Sequence, residues 1–89
     1  MRLITWPVDM LAVHLQGKAP RPVRFRYRTE ENEEQVVKVE KILRVEERNL
    51  CGDRVIHYCC ENGKGRDRKT YRLQYILNDD KWEMYMEKL

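Results

Sequence analysis

No stretch of this 89-residue chain is apolar for long enough to cross a bilayer, and no cleavable leader is legible at its start. Cysteine is scarce and odd in number. There are three, two of them adjacent at Cys59 and Cys60, so no disulfide framework is expected. A strong excess of one charge is missing as well. Eighteen Lys and Arg face fifteen Asp and Glu, a net +3, which is less than a dedicated duplex-DNA binder carries, so nucleic-acid binding would have to come from local clustering. A chain this short buries only about 60 to 65% of the surface that its unfolded form exposes, which excludes a deep cleft between two domains. These absences together lead us to expect one small soluble domain of the reducing cytoplasm, without membrane association.

The usual marks of catalysis are also absent. Gly63-Lys64-Gly65 lacks the hydroxyl and the helix that complete a P-loop. The carboxylates of Glu30, Glu31, Glu33 and Glu34 sit in a polar run read as a loop, which could not hold two of them at a fixed catalytic separation. His57 and Cys59 share one face of a strand while Cys60 points to the other. That leaves too few convergent ligands for tetrahedral zinc unless Cys51 or His14 folds in, and it puts the thiols in an apolar strand rather than at a nucleophile's site. No enzyme, metal or cofactor is expected.

What is present is alternation. In residues 21–28, Arg-Pro-Val-Arg-Phe-Arg-Tyr-Arg, a strand places Val23, Phe25 and Tyr27 on one face and Arg24, Arg26 and Arg28 on the other. Residues 36–47 read as a second strand, since Val37, Val39, Leu43 and Val45 recur on its length. A turn near Gly52-Asp53 leads to a compact apolar run at residues 55–61, and after a glycine-bearing loop at residues 62–67 Tyr71, Leu73 and Tyr75 alternate in a further strand. The last piece, residues 82–89, reads as a strand with Trp82, Met84 and Met86 on one face, or as a helix opened by Asp80 and Glu83. Ahead of all these, residues 7–16 show Val8, Leu11, Ala12 and Leu15 at helical spacing, with Pro7 at a first helical position and Gly17 as a stop; a strand carrying Leu11, Val13 and Leu15 is the competing reading.

Short one-sided strands need their edges closed, so the expected fold is a mainly β, five-stranded barrel of SH3-like or Sm-like type. It would occupy residues 21–89 behind an arm or short helix and linker at residues 1–20. The succession Leu11-Ala12-Val13, Val23-Arg24-Phe25-Arg26-Tyr27, residues 39–43, His57-Tyr58-Cys59 and Lys69-Thr70-Tyr71-Arg72-Leu73-Gln74-Tyr75-Ile76 resembles the WYL domain of bacterial regulators. That resemblance implies an Sm-like barrel with Arg72 among its ligand-facing positions. The chain has no room for the helix-turn-helix that usually accompanies such a domain, so the resemblance further implies a free-standing sensor or accessory barrel.

Two function classes follow. In the first, Arg24, Arg26, Arg28, Arg68, Lys69 and Arg72 form a basic face for a nucleotide or single-stranded nucleic acid. Arginines about 6.5 to 7 Å apart along a strand approach the phosphate spacing of an extended strand, and Tyr71 or Tyr75 could stack on a base. Against this stands a solvated face whose arginines pair with carboxylates such as Glu40 or Glu46. In the second class, an open edge or the residues Trp6, Trp82, Met84 and Met86 contact a protein partner or a second copy of the chain.

Overall fold

The computed structural model describes residues 2–88, and it is mainly β, with no α-helix among them. Eight strands follow one another: β1 (Arg2–Pro7), β2 (Asp9–Val13), β3 (Arg21–Arg28), β4 (Glu34–Lys38), β5 (Lys41–Leu50), β6 (Asp53–Asn62), β7 (Lys69–Ile76) and β8 (Lys81–Lys88), with a 3-10 turn at Gly65–Asp67. They form two antiparallel sheets. One has the order β1-β8-β7-β6-β5 and the other β2-β3-β4. This corrects the expected single five-stranded barrel: the ladders separate into two sheets, and no closed barrel is found.

The chain passes between the sheets at two corners. At the first, Val8 interrupts β1 and β2 and donates its backbone N–H to the Trp82 carbonyl at 3.1 Å. At the second, Val39 and Glu40 separate β4 from β5. Asn62 clamps this corner, since its Oδ1 accepts the Glu40 N–H at 2.9 Å and its Nδ2 donates to the Lys38 carbonyl at 2.6 Å. Both corner valines pack against the core, so each bend keeps an apolar side chain inside while the backbone changes ladder.

The core lies between the sheets. Ile56, Tyr58 and Cys60 of β6, Leu73 of β7 and Trp82 of β8 meet Phe25 of β3, which is only 1% exposed. The β3 alternation is the one read from sequence: Phe25 is buried, Tyr27 half-buried, and Arg24, Arg26 and Arg28 exposed. Tyr58 donates its hydroxyl to the Pro20 carbonyl, which fastens the long β2–β3 connection across the core.

The helix expected over residues 7–16 is corrected to a corner and a strand. β1 pairs with β8 and β2 with β3, so the backbone donors and acceptors of this segment go to two different ladders. Its core-facing residues are Val8, Met10 and Ala12, while Leu11 and Leu15 are exposed, which fits neither helical spacing nor the alternative strand face. Residues 36–47 likewise divide into β4 and β5 at the second corner. Residues 81–88 are a strand, with Trp82 and Met84 inward as expected.

Candidate functional site

At the end of β3 the two sheets part and leave a groove of about 710 Å³. Phe25 organises it. Tyr27 stacks on Phe25 with ring centroids 6.2 Å apart at 29°, and Tyr71 of β7 meets the same ring edge-on at 5.9 Å and 80°. One buried ring therefore fixes two half-exposed tyrosines that come from different sheets. Trp6 and Met84 continue the apolar wall, Arg28 and Arg72 stand on opposite sides, and Glu30 and Glu31 of the β3–β4 turn line the rim. That turn is held by its own bonds. Glu33 N–H donates to Thr29 Oγ1 at 3.2 Å, and Arg28 donates from its guanidinium to the Asn32 carbonyl, also at 3.2 Å.

The six basic residues read from sequence do not share one face. Arg28 and Arg72 both line the groove, and Arg28 also lines a neighbouring hollow with Arg26, Trp6 and Tyr27. Arg24 and Arg26 point from the outer side of the three-stranded sheet, where Arg26 is engaged by Asp9 at 2.9 Å and Glu34 at 3.4 Å. The hydrogen bond and charge of Asp9, then the charge of Glu34, hold that guanidinium still more firmly protonated. The carboxylates named from sequence serve elsewhere. Glu40 accepts the Gly63 N–H at 2.9 Å, and Glu46 pairs with Arg44 and Arg48. Arg24 has no ion pair among the described residues and stands directly opposite Lys38 in the ladder. Arg68 is 3.9 Å from Glu61, Arg72 is 3.6 Å from Glu87, and Lys69 is exposed opposite Asn62.

Of the two tyrosines considered for stacking, Tyr71 reaches the groove. Tyr75 instead lies against Trp82 at 4.8 Å and donates its hydroxyl to Asp80 at 2.8 Å. Trp6, expected as a contact for a protein partner or second copy, and Tyr27, expected as an inward residue of its strand, both line the groove. The available signal was an aromatic at the end of each of two apolar strand faces, where a core residue turns into a rim residue.

A second hollow, of about 450 Å³, lies on the outer side of the five-stranded sheet. Its floor is His57, 8% exposed, with Tyr85 tilted over it at 4.4 Å. Gln74 donates from Nε2 to Glu83 at 2.8 Å, which leaves its carbonyl oxygen to accept from His57 Nε2 at 2.9 Å. Burial pushes the His57 pKa below its ordinary value, against the raising effect of the Gln74 hydrogen bond, and that bond to the Gln74 carbonyl oxygen uses a proton on Nε2. Arg44, Arg48 and Arg72 stand around this floor with Glu46, Glu87 and the half-buried Cys59. Arg72 and Tyr85 border both depressions. Cys60 faces inward, and burial, with a smaller contribution from Cys59, pushes its thiol up to about 12. It is a protonated core side chain. Among the described residues no three His, Cys, Asp or Glu groups converge as metal ligands.

No helix of the described residues is long and apolar enough to cross a membrane. No family model matches the chain, and neither the curated proteins nor the solved structures give a match.

Proposed function

We propose that this chain is a non-enzymatic binding module that takes a phosphate-bearing ligand of nucleotide size in the groove between Arg28 and Arg72. The observation that carries the reading is one groove lined by arginines from both sheets, Arg28 and Arg72, and by the aromatic residues Trp6, Tyr27 and Tyr71. Base stacking on an aromatic contributes about 1 to 3 kcal/mol, and hydrogen bonds from a guanidinium to a phosphate about 1.5 to 3 kcal/mol, so the two together, about 2.5 to 6 kcal/mol, reach an affinity of tens of micromolar at their upper end. Glu30 and Glu31 offset the charge of the arginines. They favour a ligand with one base, a few phosphates and hydroxyl or amino donors over a long polyanion.

A single strand running along Arg24, Arg26 and Arg28, and on to Arg68 and Lys69, is the wider form of the same proposal. It would have to displace Asp9 and Glu34 from Arg26. The residue pattern shared with WYL domains, Arg72 included, supports a regulatory role for such binding in a bacterial setting.

Trp6 provides the test. A nucleotide stacked in the groove quenches its emission, while the emission of buried Trp82 is unchanged. In Trp6→Phe the quench disappears and the binding isotherm, followed by calorimetry, remains. If nucleotides bind without perturbing Trp6, the groove is not their site.

A further inference from the structure

The five-stranded sheet ends at β5, and among the described residues β6 is the only strand paired with it. This is a ten-residue edge, against five residues for each edge strand of the smaller sheet and six, ending in Pro7, for β1. Leu43 and Val45 are each 48% exposed on it.

The hairpin fixes which backbone groups face outward. Cys51 and Gly52, at φ 51° and 87°, make a two-residue turn flanked by the pair Leu50 and Asp53. The pair flanking such a turn is hydrogen-bonded, and bonding alternates along an antiparallel ladder. Leu50, Arg48, Glu46 and Arg44 therefore bond to β6, and Asn49, Glu47 and Val45 turn their N–H and C=O groups away from it. A register shift between Ile42 and Arg44 breaks the alternation beyond that point. The regular part of the edge is residues 44–50, and its midpoint is Glu47.

We propose that this edge pairs with the same edge of a second copy of the chain, antiparallel and two-fold symmetric about Glu47. In that register the two opposite-charge pairs outnumber the one like pair, Glu47 with Glu47, whereas in its neighbour every facing charged pair is alike. With Glu47 at the axis, Glu46 of each copy stands opposite Arg48 of the other, twice, and Val45 stands opposite Asn49. With Glu46 at the axis, like charges would meet at Glu46 and Glu46 and at Arg44 and Arg48, which is destabilising. The existing Glu46 contacts, to Arg44 at 3.0 Å and Arg48 at 2.9 Å, run along one exposed strand and are exchanged at little cost. The two Glu47 carboxylates that meet at the axis each hold Arg54 of their own chain, whose Nε donates at 3.0 Å. Six outward backbone groups per chain gain partners, and the joined sheet has ten strands.

The experiment is sedimentation velocity across a concentration series, with amide hydrogen exchange on the same samples. The wild type shifts from 10.9 kDa toward twice that mass as concentration rises, and exchange at Val45, Glu47 and Asn49 slows in parallel. Glu47→Pro removes an outward donor and leaves the β6 ladder whole, so it stays at 10.9 kDa with an unchanged monomer circular dichroism spectrum. Arg48→Glu abolishes the dimer independently of any effect of proline on folding, and Glu46→Arg combined with Arg48→Glu restores it. A wild type that remains at 10.9 kDa throughout overturns the proposal, as does a dimer that survives Arg48→Glu or is not restored by the charge exchange.

Discussion

Two residues carry more of the fold than their neighbours. Phe25 is 1% exposed and is the ring against which both groove tyrosines rest. Removing it leaves a cavity and two unsupported rings, so Phe25→Ala should cost about 3 to 5 kcal/mol in a denaturant titration, a large part of the roughly 5 to 15 kcal/mol that holds a domain together. His57 acts through pH. Its folded-state pKa lies below its ordinary value of 6.5 because burial disfavours the cation, so below that value the unfolded chain binds the proton more readily. Stability contributed by neutral His57 is present above pH 6.5 and is lost as pH falls from there toward the lower folded value. Arg48, Glu46 and Glu87 also act on this group, and its ring lies against Tyr85 and its hydrogen bond goes to Gln74. Melting temperature should therefore drop between pH 7.5 and 5.5 in the wild type and drop less in His57→Gln. Equal drops would show that His57 does not account for the change. Phe25 was legible in the sequence as an inward residue of β3, whereas the setting of His57 was not, because which outer-face position is closed over depends on Tyr85 and Gln74 from other strands.

At the scale of elements, turns and alternation were legible and corners were not. β3 follows the expected alternation from Arg24 to Arg28, with Phe25 and Tyr27 inward, but at a register shift Pro22 rather than Val23 is buried; β8 follows Trp82 and Met84, while Met86 is 49% exposed. The breaks at Val8 and at Val39 and Glu40 have no glycine or proline within them, since they answer the need of a strand to leave one sheet for another, and that need exists only once both sheets are present. The β5–β6 turn was placed one residue late. Its central residues are Cys51 and Gly52, both with positive φ, where Asn-Gly is the favoured pair. Cys51→Asn should stabilise the hairpin by about 0.5 kcal/mol, read as a higher urea midpoint at unchanged m-value. Gly63 is under the opposite constraint. At φ 80° a Cβ there would lie 2.6 Å from the Asp67 carbonyl oxygen, so Gly63→Ala should destabilise by about 1 to 3 kcal/mol and lower the same midpoint.

For the whole molecule, the fold decides which of the basic residues act together. Spacing along the chain put Arg24, Arg26 and Arg28 on one strand face and Arg68, Lys69 and Arg72 around one loop. In the fold Arg26 and Arg28 stay beside one hollow, with Arg26 engaged by Asp9 and Glu34, while Arg28 and Arg72 both line the groove between the sheets. The residue types were legible in the sequence. Their grouping was not, because it depends on where two sheets part.

The most direct measurement of the binding reading is a titration of the wild type, Arg72→Ala and Arg24→Glu with Arg26→Glu, against a nucleotide panel and a labelled single-stranded oligonucleotide, at low and at moderate salt. Binding in the groove predicts an affinity of about tens of micromolar to millimolar for a nucleotide, which weakens as salt rises, falls by about tenfold to a hundredfold in Arg72→Ala, and persists in the double variant. Loss of binding in the double variant would move the ligand onto the outer face of β3. Absence of binding at low salt, where charge attraction is strongest, would contradict the account.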